Sequence, residues 1–507
     1  MADYQIPLSY VVNATVVPAN KGLEPLQLGT ILLLTDDEPA VALDMPYAIA
    51  RTATSIGQTF GTETITAKLG NAIFSQNPNI LNADGYVIVA PYLQSVILEP
   101  ATSGQLTTID LTSKLAAIGL VASGDLTVSI DGSDVALEGL DCAGITTLND
   151  LAVLLNSELA DGSVAAVDNT LVFTSNTTGT SSTVALKATV GGTGTDLYGV
   201  DYLDGANATA VAGTAAVTGP ETTAMAIERL AASIYFEGII PCRNLQAAEA
   251  IGASNKVEGM ENSLLFLTDV DVNTFAPGGL FNQLKDMKKT RKLLYLNGDT
   301  TSDKQEKAKV FAAAFASRGL SVNYAGSNSC LTMTYKDLAG VEVDTNISET
   351  ILAQCETFGA DVYCSIEGLA KVISFKQGGL YFDQLANQIW LRTAVQRAVA
   401  NVLFTTRTKI PQTTAGVTTL VNAVKGILNQ GVVNGMLGAG EWNSADTFGV
   451  LEDFHRGIRT FGYYVYFTPI AEQSQADREA RKCPVISIAC KEAGAIEHAN
   501  ILIYIEA

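Results

Sequence analysis

Histidine is almost absent from this chain, which has two in 507 residues. His455 and His498 lie far apart in the sequence, and this excludes most histidine-based metal sites and general-base schemes. Asp453 could orient the imidazole of His455, but such a pair is much more common on a surface than in a catalytic triad. No Cys-X-X-Cys pair and no Gly-X-X-X-X-Gly-Lys-Ser/Thr loop occurs either. These absences argue against an enzyme and against a bound cofactor or metal.

Glycine-rich turns of the kind that cradle a phosphate are also lacking. The strand predicted at residues 293–297 is followed by Gly298-Asp-Thr-Thr301, so the next helix has no glycines that would let a pyrophosphate approach. The glycine-rich stretch 435–440 does not stand between a strand and a helix in that fashion, and we interpret it as a loop. A nucleotide-binding α/β protein is therefore not favoured.

Positive charge is scarce, because 31 lysines and arginines are outnumbered by 52 aspartates and glutamates, which gives a formal net charge of -21. Nucleic acid and anionic membranes both need clustered Lys and Arg to neutralise phosphate, so neither is expected as a partner. The one basic run, residues 285–292, has no interleaved aromatic residues. We predict that it is a solvated helix end.

Long apolar runs and paired cysteines are lacking as well. No apolar run reaches the roughly 20 residues that a membrane helix needs, and the first residues lack the pattern of a secretory signal. The seven cysteines are scattered and odd in number, which is typical of reduced thiols. We therefore expect a soluble protein of a cytosolic compartment, without membrane insertion.

Proline and arginine are both missing from residues 104–217, where the only basic residues are Lys114 and Lys187. Short runs of β-forming residues alternate there with turn dipeptides such as Asp131-Gly132, and residues 147–159 have apolar side chains at helical spacing. A disordered linker would share the abundance of Gly, Ser and Thr but not this alternation. We predict an inserted β-rich domain with an acidic, well-solvated surface.

The rest of the chain has an α/β pattern, and its length allows roughly three domains. Runs of apolar and β-branched residues predict strands at residues 264–268, 293–297, 320–324 and 463–467. Apolar residues at helical spacing predict helices at residues 302–319, 383–405 and 413–428, and a polar, charged helix is predicted at residues 470–482. The predicted fold class is α/β (α+β), with several domains.

Both ends of the chain alternate with the period of two that is typical of strands with one buried face. The apolar positions are Ile6, Leu8, Tyr10 and Val12 near the start, and Ile501, Ile503 and Ile505 near the end. A further strand, which includes Ile486 and Ile488, is separated from the last one by a stretch without a hairpin signal. The pattern leaves open whether the tails complete the protein's own sheets or add strands to neighbouring molecules.

The last third of the chain carries a resemblance to a known family. In order it contains an aromatic strand, a charged run, an apolar strand, an Ala-Gly-Ala-Ile-Glu run and an Ile-rich strand, at residues 462–467, 473–481, 484–488, 493–497 and 500–506. This succession resembles the C-terminus of contractile tail sheath proteins of long-tailed bacteriophages, and more narrowly a phage family long labelled as of unknown function. The Asp-, Gly- and Thr-rich pattern of residues 125–190 is similar to the module inserted in the same family.

This resemblance implies a structural polymer and no enzymatic activity. Sheath subunits stack as rings, here expected to be hexameric, around a tail tube in an extended, metastable state. When the baseplate triggers them, they rearrange into a wider, shorter lattice that drives the tube through the bacterial envelope without a nucleotide. The implied partners are other copies of the chain, the tail tube protein, and baseplate and tail terminator proteins. The implied location is the virion tail, after assembly in the host cytoplasm.

The resemblance also implies roles for particular residues. In that family the terminal arms add strands to the sheets of neighbouring subunits. The exchanged strands would be those of Ile6, Leu8, Tyr10 and Val12 and of Ile501, Ile503 and Ile505, with Ile486 and Ile488 in the acceptor sheet. Segments near Pro18 and at residues 491–499 would be hinges. Arg478, Arg481 and Lys482 fall where relatives face the tube, and they are candidates for weak, salt-sensitive contacts with it.

The implied domain order has five parts. They are an N-terminal arm (1–20), the first part of an α/β sheath core (21–103), the inserted β-rich outer domain (104–217), an α/β sheath domain (218–374) and a C-terminal assembly domain (375–507). The alternative is another self-assembling shell or surface-layer protein, which would share the tails and the acidic insert but would not contract.

Overall fold

The computed structural model describes residue 23, residues 28–499 and residues 501 and 502. The chain forms two compact units, one made of the residues up to Tyr92 together with those from Thr222 onward, and one made of residues 93–221. The predicted tail positions Ile6, Leu8, Tyr10, Val12, Ile503 and Ile505 lie outside the described residues.

A six-stranded sheet forms the centre of the first unit. With strands numbered along the chain, its spatial order is β16 (Thr290–Leu294), β15 (Leu264–Asp269), β14 (Gly238–Pro241), β1 (Ile31–Thr35), β3 (Val87–Pro91) and β2 (Ala48–Ala50). Five strands run parallel, and only the edge strand β2 is antiparallel to its neighbour β3. In the central register, Leu33 lies between Ile240 and Val89.

Helices cover both faces of this sheet, which explains why β1 is apolar at four successive positions. Ile31 and Leu33 belong to one buried cluster, and Leu32 and Leu34 belong to another. The first face packs against α1 (Ala53–Phe60), α2 (Ile65–Phe74) and α8 (Thr301–Gly319). The second face packs against α5 (Thr223–Ala231) and α6 (Ala247–Glu258).

The remaining elements of the first unit follow the sheet in the sequence, except for α7, which lies between β15 and β16. They are α7 (Leu280–Gln283), α9 (Glu349–Phe358), the hairpin β17 (Val362–Ile366) and β18 (Leu369–Ile373), α10 (Phe382–Thr405), α11 (Thr414–Val433), α12 (Leu451–Phe461), β19 (Tyr463–Phe467), α13 (Gln475–Glu479) and β20 (Ile486–Cys490). Short 3-10 turns lie at Ile80–Ala83, Val272–Phe275 and Ile470–Glu472.

The second unit is β-rich, which confirms the predicted inserted domain. One sheet contains β6 (Gly124–Ile130), β7 (Ser133–Leu140), β10 (Val184–Lys187) and β11 (Thr195–Asp196), and another contains β5 (Gln105–Thr107), β8 (Gly162–Val167), β9 (Thr170–Ser175) and β12 (Thr209–Val211). Two further strands pair with each other, β4 (Val96–Glu99) and β13 (Val217–Gly219). The helices are α3 (Leu115–Ile118) and α4 (Leu148–Glu158), with a 3-10 turn at Gly205–Asn207.

The second unit has a hydrophobic core of its own, in which Leu126, Val128, Leu155 and Phe173 are almost fully buried. The predicted turn Asp131-Gly132 joins β6 to β7, and both of its residues have positive φ, at 52° and 83°. Asp and Gly tolerate this conformation, so the dipeptide was a sound signal of a hairpin.

The prediction of a strand at residues 320–324 is wrong. The chain leaves α8 at Gly319 and continues without regular structure, and the next partner of β16 is instead Asp361, which bridges Leu293. Val322 and Tyr324 are nevertheless buried, because they pack beside α10, where the Tyr324 ring stacks on Trp390 at 4.7 Å between centroids. The alternation of apolar residues at 320–324 therefore reflects the burial of these side chains and not strand pairing.

The prediction that residues 285–292 are a solvated helix end holds for Lys285 and Lys288, which are exposed just after α7, but is wrong for Arg291 and Lys292. Arg291 and Lys292 lie in β16 and are fully buried. Arg291 forms an ion pair with Asp361 at 2.7 Å, and the Lys292 amine donates to the carbonyl oxygens of Leu284 and Phe358 at 3.0 and 2.7 Å. Burial lowers the pKa of Lys292 to about 8. The counter-ion and the carbonyl acceptors offset part of the cost of burying these charges, although Arg291 Nε and Nη1 are buried without a hydrogen-bond partner among the described residues.

Candidate assembly site

The C-terminal region presents a small antiparallel sheet made of β19 and β20. Tyr463 lies opposite Cys490, Val465 opposite Ile488, and Phe467 opposite Ile486. Within the described residues each of the two strands pairs with no other strand, so each has one edge whose backbone groups lack a ladder partner. Unpaired edges of this kind accept an added strand readily.

Both faces of this sheet are covered by side chains. Tyr463, Val465 and Ile488 belong to or pack against the cluster that also holds Trp390 of α10 and Val424 of α11. The opposite face, with Ala489 and Tyr464, packs against Phe454 and Ile458 of α12. The hydroxyl group of Tyr463 also donates to Asn429 Oδ1 at 2.6 Å. Two strands alone are marginally stable in water, so this packing is what holds the sheet in place.

The turn that leads from α12 into β19 needs a glycine. Gly462 has φ 79°, the left-handed conformation common just after a helix, and its amide donates to the carbonyl of Ile458. A Cβ at this position would lie 2.8 Å from the backbone of Gly438. The start of the candidate acceptor strand is therefore set by a close backbone approach.

The segment after β20, predicted as a hinge over residues 491–499, is hydrogen-bonded to the body of the unit. Glu492 accepts from Gln384 Nε2 at 2.8 Å, and the amide of Ala493 donates to Met436. Glu497 accepts from Thr332 Oγ1 at 2.6 Å through its carboxylate and from Tyr335 Oη at 2.8 Å through its carbonyl.

Large aliphatic side chains are exposed at the same end of the chain. Ile496 is 93% exposed, and Ile501 and Leu502 are each 80% exposed. A group of exposed aliphatic residues of this kind is typical of a surface that becomes covered on association. Of the predicted exchanged residues at this end, only Ile501 lies within the described part.

Two described residues before the sheet, Leu23 and Leu28, contact α10 or the cluster that contains Trp390. The Leu23 amide donates to Asn401 Oδ1 at 2.6 Å, and Leu28 packs against the cluster around Trp390. The Gly29 amide then donates to Glu237 Oε2 at 2.8 Å, and burial raises the pKa of this carboxyl to about 7.

The charged helix predicted at residues 470–482 is much shorter. A 3-10 turn ends at Glu472, and Ser474 caps the five-residue helix α13, whose first turn holds Asp477. The helix ends before Arg481, which has φ 55°. The predicted helix is interrupted because Ser474 caps a new, short helix. Residues 470–472 and 475–479 therefore do not form one continuous helix.

The three candidate tube contacts, Arg478, Arg481 and Lys482, are exposed. Lys482 pairs with Asp477 at 3.0 Å, and Arg478 donates to Gln475. Hydrogen bonds from Ser474 and Lys482 hold the pKa of the Asp477 carboxyl below its usual value. Residues 470–482 contain three acidic and three basic residues, so the segment carries no net charge.

The carboxyl end of the six-stranded sheet, where α/β proteins usually bind ligands, is occupied by the protein's own carboxylates. Asp37 accepts from the amide and the hydroxyl of Thr66 at the start of α2, at 3.1 and 2.6 Å. Glu249 accepts in the same way from Thr223 at the start of α5, at 3.0 and 2.8 Å, and pairs with Arg243. These helix N-termini have anionic partners already.

The described part of the chain contains no group of three or more His, Cys, Asp or Glu residues placed to hold a metal ion. None of its helices combines the length and the apolar character that crossing a membrane would need.

The residues that fasten both chain ends were not predicted. They are Thr332, Tyr335, Gln384, Gln388, Asn401, Glu492 and Glu497. Each is an ordinary polar residue more than 60 positions from its partner in the sequence, so neither spacing nor periodicity could have revealed it.

Two protein families match the chain. Residues 382–505 match "E217 tail sheath protein gp31-like, C-terminal domain", and residues 101–217 match "E217 tail sheath protein gp31, insert domain". No curated protein is significantly similar to the sequence.

Solved structures give more distant likenesses. The sheath tail protein of Desulfitobacterium hafniense is 11% identical over 94% of this chain and 100% of that chain, with a TM-score of 0.40. The helical sheath of the anti-feeding prophage in its contracted state is 10% identical over 56% of this chain and 78% of that one, with a TM-score of 0.38. The flagellar cap protein domains of Serratia marcescens are 18% identical over 25% of this chain and 72% of that one, with a TM-score of 0.17.

Proposed function

We propose that the two ends of each subunit join it to its neighbours in a sheath. The premise is that this chain is a tail sheath protein of the gp31-like kind, which has no enzymatic activity and forms a contractile helical sheath in the virion tail. Subunits would stack as hexameric rings around the tail tube. A signal from the baseplate would release them into a shorter, wider lattice that drives the tube through the host envelope. The further partners are the tube, baseplate and tail terminator proteins, and assembly takes place in the host cytoplasm.

The observation that carries this proposal is the β19–β20 sheet, which has covered faces and edges without a strand partner in the described chain. An exchanged strand adds its backbone hydrogen bonds to such an edge, and its alternate side chains enter pockets beside it. Ile486 and Ile488 lie in this acceptor sheet. The donated strands are those of Ile6, Leu8, Tyr10 and Val12 and of Ile501, Ile503 and Ile505.

The short segment around α13 is the proposed contact with the tube. Arg478, Arg481 and Lys482 are exposed and balanced by nearby acids, so they would bind the tube through weak contacts that salt screens. Weak contacts suit this position, because a sheath that contracts has to slide along the tube. Raising the salt concentration should therefore weaken sheath–tube binding.

Deletion of either chain end tests the proposal. Variants that lack residues 1–18 or residues 500–507 should stay soluble and folded, since the described core clusters are built from other residues, but should form no ordered tubes in negative-stain electron microscopy. The control is a variant in which the exposed five-residue loop 443–447 is replaced by five Gly and Ser residues. Normal tubes from either truncated variant would overturn the proposal.

A further inference from the structure

Helix α10 contacts, near its start, the segment that leads to the C-terminus and, near its end, a residue close to the N-terminal arm. It is 24 residues long, or about 36 Å at 1.5 Å per residue. Near its start, Gln384 and Gln388 lie one turn apart and both donate to Glu492. Near its end, Asn401 accepts from the amide of Leu23. One helix therefore holds the chain just before it leaves at the C-terminus and just after it enters at the N-terminus.

The C-terminal attachment extends from Glu492 to Glu497. Gln384 Nε2 lies 2.8 Å from Glu492 Oε2, and Gln388 Nε2 lies 3.4 Å from Glu492 Oε1. Glu497 bonds to Thr332 and Tyr335. No hydrogen bond joins the described residues 498, 499, 501 and 502 to the other described residues. Glu497 is therefore the last described residue that is fastened to the body of the unit, so we place the hinge after it, in a narrower segment than residues 491–499.

The N-terminal attachment lies at the other end of the same helix. Leu23 is bonded to Asn401, Leu28 packs against the cluster of Val322 and Trp390, and Gly29 is bonded to Glu237. The chain is thus fastened before it enters β1, and any exchanged strand nearer the N-terminus pivots on the N-terminal side of Leu23.

The helix between these attachments is itself well supported. Its first half is buried through Phe382, Leu385, Ile389 and Trp390, and its second half packs through Val395 and Val399 onto the cluster shared with α11. A helix supported in this way moves as a rigid body. Seventeen residues separate Gln384 from Asn401, so the two attachments are held about 25 Å apart.

We propose that α10 is the rigid spacer that fixes the distance between the bases of the two exchanged arms, with Gln384 and Gln388 holding Glu492 at one base and Asn401 holding Leu23 at the other. Glu497 fastens the first base in addition, through Thr332 and Tyr335 outside α10. This inference rests on the proposed exchange of both arms. When a subunit rotates in the lattice, the bases of both arms move together with α10. The change in backbone conformation is then confined to the short segments beyond Glu497 and before Leu23. The polar residues named here are positioning residues of the lattice.

Substitution of the attachments tests the first part of this proposal. The variants are Glu497→Ala, Gln384→Ala with Gln388→Ala, and Asn401→Ala. Each should keep the circular dichroism of the parent subunit, while the protein concentration needed for tube formation rises about five- to tenfold for each hydrogen bond that no longer orders the base of an arm. Gln396→Ala is the matched control, because Gln396 is exposed on the same helix. Unchanged assembly of all three variants would overturn the role of the attachments.

Loosening the helix between intact attachments tests the spacer itself. Ala394→Gly with Ala398→Gly places two glycines one turn apart between Gln388 and Asn401, and both weaken the helix without touching either attachment. Tubes should still form, but the layer lines in their image transforms should fade. The control is the same pair of glycines in α11, Thr418→Gly with Asn422→Gly. Layer lines as sharp as those of the control would show that α10 does not act as a rigid spacer.

The end deletions separate this inference from the proposal on which it rests. If removal of residues 500–507 abolishes tubes while the attachment and glycine variants assemble normally, arm exchange stands and the spacer is wrong. If the deleted protein also assembles normally, arm exchange itself is wrong.

Discussion

Among single residues, Arg291 and Asp361 form the most completely buried ion pair of the described chain, with neither side chain exposed. Asp361 also accepts from the Phe375 amide at 2.9 Å and from Gln377 Nε2 at 3.0 Å. The pair connects β16 to the start of the β17–β18 hairpin. Because desolvation opposes the attraction, such a pair adds little net stability, but removal of one partner leaves a buried charge uncompensated.

Asp361→Asn should therefore lower the free energy of unfolding by about 3 kcal/mol, because Arg291 would lose its counter-ion inside the core. Urea unfolding followed by tryptophan fluorescence measures this, since both tryptophans, Trp390 and Trp442, lie in the first unit.

The control is an exposed pair of the same unit. Lys68 and Glu306 are 2.6 Å apart with side chains 40% and 47% exposed, so Lys68→Met should change the free energy of unfolding by less than about 1 kcal/mol. Equal effects of Asp361→Asn and Lys68→Met would contradict the account of the buried pair.

At the scale of elements, the start of β19 depends on the turn at Gly462. Gly462→Ala should cost about 1–2 kcal/mol for the left-handed backbone alone, and the new Cβ would in addition displace the Gly438 backbone. Because β19 is half of the candidate acceptor sheet, the variant should also form fewer tubes, measured as the fraction that pellets in the ultracentrifuge.

Gly368 supplies the comparison for this turn. It has φ 84° in the β17–β18 turn, and a Cβ there would meet nothing within 4 Å. Gly368→Ala should therefore show the cost of the left-handed backbone alone and leave tube formation unchanged. If the two alanine variants have the same stability and the same pelleted fraction, the close approach at Gly438 is not important.

The helices and strands also show which structural features a local sequence pattern can predict. The strand 463–467 and the helix ending at Gly319 were predicted correctly, because side chains at the matching period pack against a core. The same pattern failed at Val322 and Tyr324, which are buried without strand pairing, and at Arg291, where charge was taken as a sign of exposure. Periodicity reports burial, whereas pairing and counter-ions depend on residues distant in sequence.

At the scale of the whole molecule, composition was the most reliable signal. The change near residue 104, where arginine and proline disappear, predicted an inserted β-rich domain, and the second unit spans residues 93–221. The attachments of the arms could not be predicted, because Gln384 and Glu492, or Thr332 and Glu497, are single polar contacts between distant positions.

Excision of the second unit should leave a folded subunit that still assembles. The Glu221 amide donates to the Leu93 carbonyl and the Leu93 amide donates to Glu221 Oε2, so these two residues lie close together. Tyr92 and Thr222 can therefore be joined by a Gly/Ser linker of about four residues. We expect the urea transition reported by Trp390 and Trp442 to be unchanged and tubes to form as in the parent. A folded subunit without tubes would show instead that residues 93–221 belong to the lattice.

The pairing of β4 with β13 returns the chain almost to the point where it departed. Recombination can therefore replace everything between these strands with a cassette of another length or sequence without shifting a residue of the six-stranded sheet. Under such an arrangement, a virus lineage can diversify one portion of the polypeptide rapidly while the portion that builds the tail changes slowly.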